Sequence, residues 1–456
     1  MPQPPVAGGF EARLPHVGPW LGDVQPAAGG LGLRIGLRID EPGRSAPLQG
    51  VATLLCDAQR RPLGPVIRHA CGPDRHEQVL EVLLPRPLPG DTDTDTDTDT
   101  DADAPARGPL RLLVAAVHGA WPDSAQAQVQ AVDARCAHLQ RSADAQLTPL
   151  AATEGLLLDR GWLQRIARPR ADRLGLALGA CRQRPLLTDR PLADAAMGVL
   201  LAALDGPAPA AHAPIDLVLL AGDQVYADTR VDSGHTGAQR RQYFEAHHEA
   251  WSAPHQREVL RRRPVVMALD DHEFRNDYNN RIAAGRPQEV HAAATAWQRY
   301  QLAAGPRQPE VHPALPGAEL KAAWRAFRQC GFAVFVCDTR SERADTSRVD
   351  RRGAKLMSDL QMAALQDWLL TLQHDPAYGD RPKVVVTGGL YSPYPFANAT
   401  RGEWLDGAEA RGLRAGDTTW GYTITASTPG SGWTRLTLGA DGQVQADFVA
   451  VLPPAT

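Results

Sequence analysis

Lysine is nearly missing from this 456-residue chain. Lys321, Lys355 and Lys383 are the only three, so arginine carries almost all the positive charge. Net charge is −4, which leaves no basic field to attract nucleic acid. No run approaches the roughly 18 consecutive apolar residues of a membrane span. Met1 to Pro19 lacks a basic patch followed by an apolar core, so no signal peptide is expected. The six cysteines are scattered without a CxxC pair, which argues against both a disulfide framework and a zinc knuckle. A cytoplasmic location follows, and it keeps any functional thiol reduced. Histidine is missing after His374. The abundance of Ala, Gly and Pro, with arginine in place of lysine, points to GC-rich codons and a bacterial source.

What is present reads as two domains, the natural number for this length. Apolar and polar residues alternate over Leu31–Ile39, Val51–Leu55, Val79–Leu84 and Leu110–Val117, with Gly/Pro-rich turns between them, the pattern of half-buried strands. Residues 1–145 are therefore expected to form a β-sandwich. The Asp-Thr repeat at 91–103 interrupts it as a solvated loop, because it has almost nothing apolar to bury. Residues 146–456 change to alternating strands and helices, an α/β pattern. Strands are expected at Leu174–Gly179, Ile215–Ala221, Pro264–Leu269, Phe332–Cys337 and Lys383–Thr387. Helices are expected at Leu192–Leu204, Gln239–Trp251, Val290–Tyr300 and Met357–Gln373. The tail returns to strands at Tyr422–Ala426, Trp433–Leu438 and Val444–Val451, the last two joined through Asp441-Gly442, a hairpin pair.

Chemistry-bearing residues gather just after the apolar runs, where open α/β sheets bind ligands. Gly222-Asp223-Gln-Val-Tyr226 follows one run. Asp223 with Tyr226 is a hard-oxygen pair suited to Fe3+; the competing account is a helix-capping Asp over a packed Tyr. Asp270-Asp271-His272-Glu273 follows another run. Adjacent carboxylates repel unless a cation is present, so Asp271 reads as a ligand and His272 as a proton donor to a leaving alkoxide. The alternative is an N-cap run for the next helix. Cys181 ends a third strand; a thiolate there needs a cation to lower its pKa, and otherwise it is a small buried hydrophobe. Asp338-Thr-Arg340 follows a fourth. Arg340 is either a phosphate-oxygen partner or part of a surface ion-pair loop.

Taken in order, Gly179-Ala-Cys181-Arg182, Gly222 to Asp228, Asp270 to Glu273 with Asn276, and Asp338-Thr-Arg340 resemble the alkaline phosphatase D (PhoD-like) metallophosphatases, within the calcineurin-like metallophosphoesterases. The resemblance implies a four-layer αββα sandwich preceded by a β-sandwich. It implies hydrolysis of phosphate esters through a metal-bound hydroxide, with Fe3+ and Ca2+ as the ions. One metal is implied at Cys181, Asp223 and Tyr226. A second shares Asp223 and is held by Asp271, with His272 near the leaving group.

The family closes its site with a C-terminal Gly-Asp-x-His block, and here the chain departs. Either Gly389 and Tyr391 stand where Asp and His belong, or Lys383–Thr387 corresponds to the strand before that block and the block is deleted, which fits the tail better. Ligands are thereby lost from the second metal first. The expected partner is a small phosphoester, with neither nucleic acid nor membrane. Two function classes remain open: a metal-dependent phosphoesterase, active or weakened, and a catalytically degenerate binding protein on the same fold.

Overall fold

The computed structural model describes residues 11–13, 17–39, 48–71, 77–86, 108–118, 124–130, 132, 155–168, 171–182, 190–232, 239–306, 323–344, 355–388 and 432–450. The Asp-Thr repeat at 91–103, the domain boundary expected near 145 and the strand expected at Tyr422–Ala426 lie outside them. The chain divides into two compact units, Met1–Arg168 with Trp251–Pro264, and Pro169–Ala250 with Val265–Thr456.

The first unit is β-rich. Its strands are β1 (Glu11–Arg13), β2 (Val17–Ala27), β3 (Gly30–Arg38), β4 (Leu48–Cys56), β5 (Ile67–His69), β6 (Glu77–Pro85), β7 (Leu110–His118) and β8 (Gly155–Leu158). They form two sheets, β1-β7-β4-β5 with β8 against β7, and β2-β3-β6. The expected alternation is realised in β3. Leu31, Leu33, Ile35 and Leu37 are buried, while Arg34 pairs across the strands with Glu81 at 2.9 Å. Helix α1 (Arg160–Ile166) starts where Asp159 accepts the Trp162 N–H at 2.6 Å.

Residues 251–264 return to this first unit, which local periodicity did not indicate. Trp251 meets Trp20 edge-on at 6.3 Å. Arg261, Arg262 and Arg263, just after α5 (Pro254–Leu260), also make contacts within this unit. Arg261 and Arg262 reach Glu258 at 2.8 and 2.7 Å, Arg261 also donates to the Gly155 carbonyl, and Arg263 lies 4.7 Å over the Trp162 ring.

The second unit is α/β. In chain order it comprises β9 (Arg173–Gly179), α2 (Arg190–Asp205), β10 (Leu217–Leu220), α3 (Ala227–Asp232) and α4 (Gln239–Trp251). The short α5 (Pro254–Leu260) belongs to the first unit. Then come β11 (Val265–Met267), α6 (Asn280–Gly285), α7 (Pro287–Trp297), β12 (Arg325–Gln329) and β13 (Phe332–Val336). The chain ends through α8 (Asp359–His374), β14 (Lys383–Val386), β15 (Gly432–Gly439) and β16 (Val444–Ala450). Every residue of β10 and of β13 is buried, as the uninterrupted apolar runs of covered parallel strands require.

One sheet runs β11-β10-β9-β15-β16 and the other β12-β13-β14. β9, β10 and β11 are mutually parallel, as are β13 and β14. Trp368 of α8 and Trp324 pack on Phe335 of β13, with ring centroids 5.4 and 5.7 Å away. Two expectations need correction. The helix expected to reach Tyr300 ends at Trp297 and continues as a π-turn over Gln298–Leu302. β12 was not expected, because its Arg-Ala-Phe-Arg-Gln sequence looks polar; its buried Arg325 is accommodated by donating to the Met267 carbonyl at 2.5 Å. Among the described residues no helix is long and apolar enough to cross a membrane.

Candidate metal centre

The parallel strands of the second unit end on chemistry. β9 leads to Cys181, β10 to Asp223, β11 to Asp270 and Asp271, and β13 to Asp338 and Arg340. After β14, Gly388 comes so near that an added Cβ would lie 3.1 Å from the Ala221 carbonyl and 3.4 Å from an Asp270 carboxylate oxygen.

The backbone that makes this convergence is strained. Cys181 and Asp223 both occupy the left-handed region, at φ 55° and 57°, where a non-glycine residue costs about 1–3 kcal/mol. The two turns interlock, with the Cys181 N–H on the Gly222 carbonyl at 3.0 Å and the Arg182 N–H on the Asp223 carbonyl at 2.8 Å. Gly222 has φ 124°, and a Cβ there would meet the Asp270 Cβ at 2.4 Å. Gly222→Ala is therefore expected to destabilise the protein by more than about 1 kcal/mol, read as a lower denaturation midpoint. An unchanged midpoint would mean that the turn is not held this way.

Asp223 is the hub. Its Oδ2 faces the Cys181 thiol at 3.6 Å and the Tyr226 hydroxyl at 3.4 Å, and its Oδ1 accepts the His272 N–H at 3.2 Å. Asp223, Asp271 and His272 each offer a ligand atom, all within 4.8 Å of one another. The Asp271 Oδ2 accepts the Asp277 N–H at 2.6 Å. The Tyr226 ring stacks on His272 at 4.1 Å. The His272 Nδ1 is bonded to Asp228 at 2.8 Å, which leaves Nε2 for an ion or a substrate. Arg340 bonds the Asp270 carboxylate and stands 3.4 Å from Asp271.

Charge is out of balance here. Burial, and then the Asp271 charge, push Asp223 above the usual carboxylate range. Burial pushes Asp270 up to about 7 against the pull of Arg340, with Asp223 and Asp271 adding to the rise. Cys181 is exposed as a residue, yet partial desolvation of its thiol and the charges of Asp223 and Asp270 raise it to about 12. Tyr226 is raised for the same reasons, burial first and Asp223 second. For His272, burial acts downward, but the Asp228 hydrogen bond and the Asp223 charge outweigh it and the imidazole is raised. Carboxylates raised, a thiol and a phenol held neutral, and one guanidinium among three aspartates describe a pocket that lacks positive charge. Oxygen ligands, a soft thiolate and an imidazole are donors that a di- or trivalent cation satisfies, so the donor set fits a metal.

The PhoD-like phosphatase family matches residues 208–375. That segment is PhoD-like. The solved structure of PhoD superposes with a TM-score of 0.54 at 15% identity, over 88% of this chain and 68% of that one, so the fold is shared. No curated protein sequence matches the chain.

Asp223, Tyr226, Asp271, His272 and Arg340 lie inside the PhoD-like segment and Cys181 lies before it. All six are brought to one edge of the second unit. Three of the competing accounts fail. Asp223 does not cap α3, since its Oδ1 is on the His272 N–H. The next helix after Asp270-Asp271 is capped by Asn279. Arg340 is only 9% exposed, which removes it from a surface loop. Asp270, Asp228 and Glu273 were not assigned roles from sequence. Asp228 and Glu273 lie within the quoted motifs, but only their long-range partners reveal what they do.

Proposed function

We propose that this protein is a metal-dependent phosphoesterase that hydrolyses phosphate esters at the strand ends of its α/β unit. The observation that carries the reading is the Asp223–Asp271–His272 group, with ligand atoms within 4.8 Å in surroundings short of positive charge. Cys181, Asp223 and Tyr226 would hold the first ion, and Asp223 with Asp271 a second, weaker one. Fe3+ suits the hard-oxygen pair of Asp223 and Tyr226, and Ca2+ the carboxylates. When bound, such ions supply an activated water and neutralise phosphate charge. His272, oriented by Asp228, gives its proton to the leaving alkoxide. Arg340 pairs with both Asp270 and Asp271 and offsets their mutual repulsion, and it would present a guanidinium beside the substrate's oxygens. On this reading the protein works in the cytoplasm, where a thiolate ligand stays reduced.

A second reading, a binding protein that keeps the fold without turnover, is favoured by one feature. No histidine follows His374, and the two ligands left for a second ion are few. Metal analysis of purified protein, paired with a panel of phosphoesters, separates the two. The expected result is about one tightly held equivalent of metal and hydrolysis that chelation removes. Metal without hydrolysis across the panel supports the binding protein. Two tightly held ions after dialysis would show that 389–431 supplies ligands, with Asp406 and Asp417, both outside the described residues, the first to examine.

A further inference from the structure

Glu273 is wholly buried. Its two oxygens accept four backbone N–H groups. Oε2 accepts the N–H groups of Asp223 and Asp270, both at 3.1 Å. Oε1 accepts those of Gln224 at 2.7 Å and Val225 at 3.1 Å. One carboxylate thus ties the loop after β10 to the loop after β11, the two that carry Asp223 and Asp271. A residue in a strained left-handed conformation persists only when its surroundings over-determine it, and at Asp223 this carboxylate does so together with the Arg182 N–H on the Asp223 carbonyl.

Behind Glu273 stands a second layer. The π-turn at Gln298–Leu302 carries Gln301 inward, and such turns often mark functional sites. The Gln301 amide nitrogen reaches Glu273 Oε1 at 3.5 Å and His247 Nε2 at 3.4 Å. His247 Nδ1 donates to the Tyr243 carbonyl at 2.9 Å, so Nε2 is the accepting nitrogen of a neutral ring. Burial keeps that ring neutral, lowering it to about 4.

We infer that Glu273, backed by Gln301, is a positioning residue that sets metal affinity by locking both ligand loops in register. The inference rests on the metal-dependent reading above. It predicts a specific failure for Glu273→Gln, a near-isosteric change. The new amide can present only one oxygen, so its NH2 must face either the Asp223 and Asp270 N–H groups or those of Gln224 and Val225. Two donors then oppose donors, and the loops separate.

The test is Mn2+ binding to the full-length, chelator-stripped protein, followed through the free-ion EPR signal, with circular dichroism on the same samples. Glu273→Gln is expected to weaken Mn2+ binding by about 10–100-fold with unchanged secondary structure, and Gln301→Leu by about tenfold. A role in folding alone would lower the thermal midpoint and leave affinity in the folded fraction unmoved. Should Glu273→Gln not fold, Gln301→Leu decides by the same comparison. Wild-type binding with unchanged affinity in the folded variants overturns the clamp and leaves the metal reading standing. A wild-type protein that takes up no Mn2+ overturns the metal reading, and the clamp with it.

Discussion

Asp223→Ala is expected to remove bound metal and phosphoester turnover together. Asp223 offers both oxygens to the centre, with Cys181 and Tyr226 on one and the His272 backbone on the other. It is also the only residue shared between the two ligand sets. The loss should exceed the ~10²–10⁴-fold typical of a single acid–base group, because the ion itself goes. Stability should not fall in parallel. Burial and Asp271 raise Asp223 in the folded state, so its charged form opposes folding of the metal-free protein. A carboxylate raised on folding contributes stability below its unfolded value and loses it as pH rises through the folded one. Metal-free Asp223→Ala at neutral pH is therefore expected to be at least as resistant to denaturant as metal-free wild type. Full turnover in Asp223→Ala would show that the site is elsewhere.

His272→Ala is expected to lower kcat by about 10²–10⁴-fold while metal content stays close to wild type. The Nδ1 bond to Asp228 and the stacking of Tyr226 orient the ring, and an oriented imidazole with a free Nε2 is what proton donation to a leaving oxygen requires. Asp228→Asn should give a smaller loss in the same direction. The carboxylate that lifts the imidazole is then gone, and only one of the N–H groups of Thr229 and Asn276, which it accepts on different oxygens, keeps an oxygen partner. His272 also groups with Asp223 and Asp271 as a ligand. If His272→Ala loses metal in proportion to activity, the histidine is a ligand and the proton-donor role is wrong. Measuring kcat and metal content on the same preparation distinguishes the two.

The amino-acid sequence by itself determined the elements whose signal is local. Alternation placed β3 and β6, uninterrupted apolar runs placed β10 and β13, and the polar motifs after those runs marked the strand ends where Cys181, Asp223, Asp271, His272 and Arg340 sit. It determined that α4 exists but not that residues 251–264 leave one unit for the other, because no periodicity encodes which core a helix end joins. β12 escaped because its apolar face is completed by a buried arginine bonded to the Met267 carbonyl, 58 residues away in sequence. Tertiary structure alone decided the roles of the acids. Asp271 and Glu273 are two residues apart, yet one faces the centre and the other turns beneath it to hold the N–H groups of Asp223, Gln224 and Val225, 48–50 residues earlier. Arg340 meets Asp270 across 70 residues, and Asp228 meets His272 across 44. Such contacts depend on where strand ends converge and on left-handed turns at Cys181 and Asp223. A chain read one window at a time shows which carboxylates lie near a strand end, and only the folded backbone decides which way each one points.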